Sequence, residues 1–101
     1  MPDPANEPGP GLRRGDLLGR KWAPEIVFAL RAGPRRFSEL RAEVPGLGDT
    51  VLSRRLAELE HAGIVSRAQF PEIPPRVEYT LTGAGLALER MLAVISRWSP
   101  G

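Results

Sequence analysis

Arginine is the side chain in this sequence best suited to chemistry, and it dominates the basic residues. The 101-residue chain has 14 basic residues, all arginine except Lys21, against 12 acidic ones and a formal net charge of only +2. A guanidinium group can bind phosphate or guanine through two parallel hydrogen bonds. A coding bias toward GC-rich codons would also enrich arginine, so composition permits nucleic-acid binding without establishing it.

No grouping of residues supports catalysis, metal binding or thiol chemistry. The chain has one histidine, His61, and no cysteine, which excludes a histidine-based metal cluster, a disulfide and a thiol switch. Gly83-x-Gly85 lacks the third glycine and the distal acid of a dinucleotide-binding fingerprint. The acidic residues lie at salt-bridging spacings, as Glu39 does near Arg36. We therefore predict a protein that is not an enzyme and binds no metal or cofactor.

Two short helices joined by a tight turn are expected to present several of the arginines. "KWAPEIVFALRAG" (21–33) is apolar on most faces and predicts a central buried helix. "SELRAEV" (38–44) predicts a short helix capped by Ser38, and "PGLG" (45–48) predicts a turn into the next helix, at 49–62. This arrangement matches a helix-turn-helix.

The helix at 49–62 has one apolar face and one small, polar face. At about 100° per residue, three leucines share the face that a core can bury: Leu52, Leu56 and Leu59. Thr50, Ser53 and Arg54 fall on the opposite face, and Arg55 lies to the side. Short polar side chains and one long donor suit a helix that enters the major groove, although an ordinary solvated helix face has the same pattern.

A proline-tipped hairpin is predicted after these helices. "IVSRAQF" (64–70) and "RVEYTL" (76–81) are strand-like, and the three prolines between them cannot donate to a strand ladder, which places them at a tip or edge. A stiff hairpin in this place is a wing, and we expect Arg67 and Arg76 to contact phosphates. The alternative is a hairpin that only covers the core.

The two ends of the chain have different expected roles. Residues 1–9 predict a disordered leader ahead of a single domain at 10–101. The segment 82–98 predicts a helix capped by Thr82, more apolar than a small domain can bury alone, so a homodimer is expected through it. We predict these interface residues: Trp22, Leu88, Met91, Leu92, Ile95 and Trp98. Neither an export signal nor a bilayer-spanning run is present, so we expect a cytoplasmic protein.

Four motifs resemble those of the HxlR-type winged-helix transcriptional regulators: "LLGRKW" (17–22), "GPRRFSELR" (33–41), "LSRRLAELEHAGIV" (52–65) and "PPRVEYTLTGAG" (74–85). The last of these is the most specific, and the resemblance extends from about residue 9 to residue 98. It implies an α+β, mainly α, fold: a winged helix-turn-helix with a two-stranded β-hairpin wing and a C-terminal dimerisation helix. It also implies a dimer that binds double-stranded DNA with the helix at 49–62 in the major groove.

Position by position, the resemblance implies these DNA-facing residues: Arg35, Arg36, Thr50, Ser53, Arg54, Arg55 and Arg76. The helical face supports Thr50, Ser53 and Arg54 independently, whereas Arg55 rests on the resemblance and has an ion pair with Glu58 as its alternative. Two departures matter. Gly9 stands where many members carry a sensing cysteine, and Gly48-Asp49 replaces a frequent Ser-Pro pair, so that Asp49 is expected to cap the helix while repelling a nearby phosphate.

Two other functions remain open on the sequence. A winged-helix module that binds proteins and has lost DNA binding is compatible with the low net charge. A regulator that binds an aromatic small molecule between the dimer helices, near Trp22 and Trp98, is compatible with the apolar C-terminal segment. The sequence indicates neither the operator nor the sign of regulation.

Overall fold

The computed structural model describes residue 17 and residues 19–98, with side chains as far as residue 95. The leader predicted at 1–9 and both limits of the domain predicted at 10–101 therefore lie outside the described residues. Leu17 is described and is fully buried.

The described chain folds as four helices and one hairpin, in the order α1 (Ala23–Ala29), α2 (Phe37–Glu43), α3 (Asp49–His61), β1 (Val65–Phe70), β2 (Arg76–Leu81) and α4 (Gly83–Trp98). Helices α2 and α3 with their tight turn form the predicted helix-turn-helix, and the hairpin that follows is the wing. The predicted winged-helix architecture is confirmed. None of the helices described is both long and apolar enough to cross a bilayer.

The ends of the helices follow local rules, with two corrections to the predicted caps. Helix α2 begins at Phe37, one residue before Ser38, and the backbone N–H of Arg36 donates to Glu39 Oε1 at 2.8 Å. Helix α3 begins at Asp49 after Gly48, without a cap from the Asp49 side chain. Both predicted caps were wrong because the helix starts where the backbone turns, and a suitable side chain nearby does not fix that residue.

The core lies between the helices and the root of the hairpin. As predicted, the three leucines of α3 are buried, and they meet Ile26 and Val27 of α1 and Leu40 of α2. Phe28 departs from the prediction of a central buried helix, since this residue is 56% exposed. The leucine side of α3 therefore holds the helix against the domain, and its opposite side faces solvent.

The hairpin pairs in antiparallel register from Val65 opposite Leu81 to Phe70 opposite Arg76. One further connection was not predicted: Arg35 N–H donates to the Tyr79 carbonyl at 2.9 Å, and Tyr79 N–H donates to the Arg35 carbonyl at 2.8 Å. A single bridging residue has no periodicity, so sequence patterns do not reveal it. The bridge ties the segment before α2 to the wing.

Helix α4 is attached to the end of α3 through a threonine and a glycine. Thr82 Oγ1 accepts from the Gly85 N–H at 3.1 Å, which confirms the predicted cap, and donates to the Gly63 carbonyl at 2.6 Å. A Cβ atom at Gly85 would collide with the Ile64 carbonyl oxygen. The second glycine of the Gly83-x-Gly85 pair thus serves close packing of the helix on the strand.

Candidate nucleic-acid interface

The solvent-facing side of α3 presents one long cationic side chain among short ones. Thr50, Ser53, Arg54 and Ala57 are all exposed, on the side opposite the buried leucines. Arg54 makes no hydrogen bond or ion pair with any other residue that the structure describes. Its guanidinium is therefore available for a partner outside the chain, on a face where small neighbours permit close approach.

Arg55, the next residue, is held inside the protein. Its Nε donates to the Lys21 carbonyl at 3.0 Å, its Nη1 lies 3.0 Å from Glu58 Oε1, and its side chain is 12% exposed. The contact with Lys21 joins α3 to the turn that precedes α1, where Trp22 adopts a positive φ of 77°. Arg55 is thus arranged to position α3, and the predicted alternative of a pair with Glu58 is the contact that the structure contains.

We predict that Arg55→Gln lowers the free energy of unfolding by about 1–3 kcal/mol, because it leaves the Glu58 carboxylate without its partner in a site that is mostly buried. The dependence of DNA affinity on salt should stay the same, because no phosphate contact is lost. Urea unfolding and binding at several salt concentrations measure the two effects. An unchanged stability combined with a shallower salt dependence would instead mean that Arg55 contacts DNA.

The two arginines before α2 differ in their freedom. Arg35 is engaged, with its Nε 3.0 Å from Glu43 Oε1 and its Nη1 donating to the Pro34 carbonyl at 3.0 Å. Arg36 is exposed, and its guanidinium makes no ion pair with any described residue. Arg36 can therefore donate directly to a phosphate, whereas Arg35 would first have to release the Glu43 carboxylate.

The acid at the start of α3 is neutralised by an arginine that the sequence did not single out. Arg41 Nη1 lies 3.1 Å from each carboxylate oxygen of Asp49. The two residues are eight positions apart on either side of the turn, a spacing that no helical pattern marks. Because Asp49 carries its own counter-charge, it repels an approaching phosphate less than its position predicts.

The wing also presents one engaged and one free arginine. Arg76 Nε lies 2.7 Å from Glu72 Oε2, and its Nη1 lies 3.5 Å from Glu78 Oε2. Arg67 on β1 is exposed and forms no ion pair within the described chain. Six of the seven side chains predicted to contact DNA thus lie at the surface, whereas Arg55 is mostly buried. Three of the seven are held by carboxylates at Glu43, Glu58 and Glu72.

A sequence model of the HxlR-like helix-turn-helix family matches residues 17–100, which include all of these elements. The chain belongs to this family. It is 49% identical over 84 residues to YvaP of Bacillus subtilis strain 168, described as an uncharacterised HTH-type transcriptional regulator, with coverage of 83% of this chain and 78% of YvaP.

Solved structures agree with that assignment. The reduced form of the transcriptional regulator YodB from B. subtilis superimposes with a TM-score of 0.77 at 39% identity, over 83% of this chain and 82% of YodB. A protein from Enterococcus faecalis V583, titled as a transcriptional regulator of the MarR family, gives 0.78 at 40% identity, over 81% and 74% of the two chains. This HxlR-like protein is a helix-turn-helix transcriptional regulator, as the sequence motifs implied, and its relatives have a regulatory role.

The residues predicted for a dimer interface in this HxlR-like protein divide into two groups. Leu88 and Leu92 of α4 pack against the core of their own domain. Met91 and Ile95 are 58% and 60% exposed, and Val94 is 52% exposed beside them. We refer to Met91, Val94 and Ile95 as the outer face of α4. The side chain of Trp98 lies outside the described residues, so its role stays a prediction.

A groove of about 1250 Å³ runs between α1 and α4, and apolar side chains dominate its walls. Trp22, Phe28, Leu92 and Ile95 line it. Trp22 is half-buried, and its ring packs near Gly46, in the turn between α2 and α3. The outer face of α4 and this groove therefore share Ile95. Within the described chain, no group of three acidic or histidine side chains could hold a metal ion.

Proposed function

We propose that this HxlR-like regulator binds a pseudo-palindromic DNA operator as a homodimer, with α3 in the major groove and the wing along the backbone. The observation that carries the proposal is Arg54, an exposed guanidinium without a partner among the described residues, on the small, polar face of a helix whose other face is fixed in the core. Two such helices in a dimer would lie roughly 34 Å apart, one turn of DNA.

The contacts of the free protein suggest a role for each predicted residue. Arg54 reads a base edge, and Thr50 and Ser53 contact bases or phosphates beside it. Arg36 binds a phosphate directly, whereas Arg35 and Arg76 do so after releasing their carboxylates. Arg55 acts by positioning α3. The proposed role requires no catalytic group, and the protein would act in the cytoplasm, where bacterial DNA is accessible.

A homodimer is supported by the outer face of α4. Three neighbouring apolar side chains stand more than half exposed there, and an exposed apolar patch of this kind is typical of an interaction surface. A second copy of the chain would bury the same face of its own α4 in a symmetric interface. Twofold symmetry in the protein would then require twofold symmetry in the operator.

Fluorescence anisotropy with labelled duplexes tests the proposal. We expect fragments from the organism's own genome, above all those beside the gene, to be bound more tightly than random duplex, with an affinity that falls steeply as salt rises. Size-exclusion chromatography with light scattering should show a dimer. If a folded dimer bound no duplex at low salt, the protein-interaction reading would replace this one.

We predict that Arg36→Gln weakens binding to every duplex equally and reduces the salt slope by about 0.9, the value for one phosphate contact. The reason is that Arg36 is exposed and pairs with no carboxylate of the described residues, so its guanidinium can meet the backbone, and no described neighbour would aim it at a base. Arg90→Gln is the matched control, since it removes the same charge from an exposed arginine on α4. A loss confined to one sequence would contradict the assignment.

The groove between α1 and α4 favours a second property, the binding of an aromatic effector. Its walls contain Trp22 and Phe28, and the Trp22 ring also lies near Gly46 in the turn of the helix-turn-helix. A flat apolar ligand beside Trp22 would quench its fluorescence and change the affinity for DNA. Titration with a set of aromatic compounds, followed by anisotropy with DNA, tests this. The chain contains no cysteine, so a thiol of its own cannot provide the signal.

A further inference from the structure

The tip of the wing encloses its arginine between carboxylates. Arg76 lies between Glu72 at 2.7 Å and Glu78 at 3.5 Å, and its Cζ is 4.3 Å from the centroid of the Phe70 ring. Phe70 and Arg76 are partners in the hairpin register, so the pairing of the strands places the ring under the guanidinium. This guanidinium is therefore oriented before any DNA arrives.

The charge of the tip opposes its proposed use. Residues 70–78 contain one arginine and two glutamates, a net charge of 1 − 2 = −1. A phosphate that approaches Arg76 must come close to both carboxylates, and like charges at such distances repel. A phosphate that binds Arg76 through Nε and Nη1, the two nitrogens that face the carboxylates, has to take the place of at least one of them.

The two carboxylates differ in their ability to leave. Glu78 lies two residues after Arg76 on β2, so both side chains project from the same face of the strand, and Glu78 is only 25% exposed. Glu72 lies in the loop at the tip, and its side chain is 49% exposed. An ion pair this exposed is weak, since solvent competes for both partners. Glu72 can therefore rotate into solvent while Glu78 stays.

We propose that Glu72 competes with DNA phosphate for Arg76 and thereby lowers the affinity of the wing for any duplex. The inference rests on the proposed function, since it requires the wing to meet DNA. A regulator has to search a genome in which non-specific sites vastly outnumber its operator. Weaker contacts to the DNA backbone shorten the time that the regulator spends on each non-specific site. Glu72 would thus raise specificity without touching a base.

The test uses the full chain with a labelled duplex of random sequence, which makes it independent of the operator. Glu72→Gln removes the charge and keeps the shape. We expect it to tighten binding by about 2- to 5-fold at low salt, the range that an exposed ion pair supplies, and to steepen the salt slope by up to about 0.9. Glu60→Gln, at an exposed glutamate near the end of α3 that pairs with none of the described cations, is the matched control.

The decisive comparison repeats Glu72→Gln in an Arg76→Ala background. If Glu72 acts through Arg76, the gain there should be no larger than that of Glu60→Gln. An equal gain with and without Arg76 would overturn the inference, because Glu72 would then act only through overall charge. The inference would also be overturned if neither Glu72→Gln nor Glu72→Ala tightened binding. A wild-type protein that binds no duplex would instead overturn the proposed function. Circular dichroism verifies that each variant is folded.

Discussion

Replacement of Arg54 by alanine is expected to lower operator affinity by about 1–3 kcal/mol, between about 5-fold and 150-fold, and to relax the preference at a single base pair. The reason is that Arg54 is the one arginine on the outer side of α3 without a partner among the described residues, and it stands between short side chains. An arginine placed so can bind guanine O6 and N7 through two parallel hydrogen bonds from its rigid guanidinium fork, a geometry that the lysine ammonium does not reproduce and that alanine lacks.

Arg54→Lys separates base reading from simple charge. Lysine keeps the positive charge, so binding to random duplex should stay close to that of the wild type, while the preference for the operator falls toward that of Arg54→Ala. Anisotropy titrations of both variants against an operator fragment and a random duplex, at matched salt, give the two ratios. An alanine variant that loses affinity for both duplexes in equal proportion would make Arg54 a phosphate contact.

The sequence predicted the architecture because periodicity records which side of each element is buried. The leucines of α3 repeat at helical spacing and are buried, and the alternation of "RVEYTL" marks a strand that pairs as expected. Gly63, with a positive φ of 76°, ends α3 where a glycine does so at least cost. These features are local, so a single sequence is sufficient to reveal them.

Only the pair of Arg55 with Glu58, within one helix, was predicted as an alternative; the other contacts of the arginines between elements could not be predicted. Arg35 with Glu43 and Arg41 with Asp49 are each eight residues apart, and Arg55 reaches a carbonyl 34 residues away. The helical wheel separates Arg54, opposite the leucines, from Arg55, to the side, but it cannot show that Arg55 reaches Lys21. Composition therefore overstated the number of free guanidinium groups that DNA would meet.

For the apolar residues of α4 too, the sequence alone could not show which side chains contact other elements of the chain. The sequence grouped Leu88, Met91, Leu92 and Ile95 in one stripe, but the stripe is wide enough to serve two surfaces. Its inner part, with Leu88 and Leu92, packs on the domain, and its outer part remains exposed. Periodicity identifies an apolar face, and only the packed structure shows how much of that face the chain itself covers.

Ile95→Glu is expected to raise the dissociation constant of the dimer by about two orders of magnitude or more. A carboxylate at the centre of an apolar interface loses its hydration without gaining a partner, which costs several kcal/mol, and in a symmetric dimer the substitution occurs twice. The fold should survive because Ile95 is 60% exposed within its own chain. Light scattering measures the mass, and thermal unfolding verifies the fold.

Leu86→Glu is the matched control, since it places the same carboxylate at an exposed apolar position on a different side of α4. A monomeric Ile95→Glu variant beside a dimeric Leu86→Glu variant would assign the interface to the outer face of α4. Operator affinity should then fall far more than affinity for random duplex, because a monomer engages one half-site and loses the gain from the second. An Ile95→Glu variant that stays dimeric would place the dimer interface on another surface of the protein. The position of that other interface would then determine the spacing of the two α3 helices.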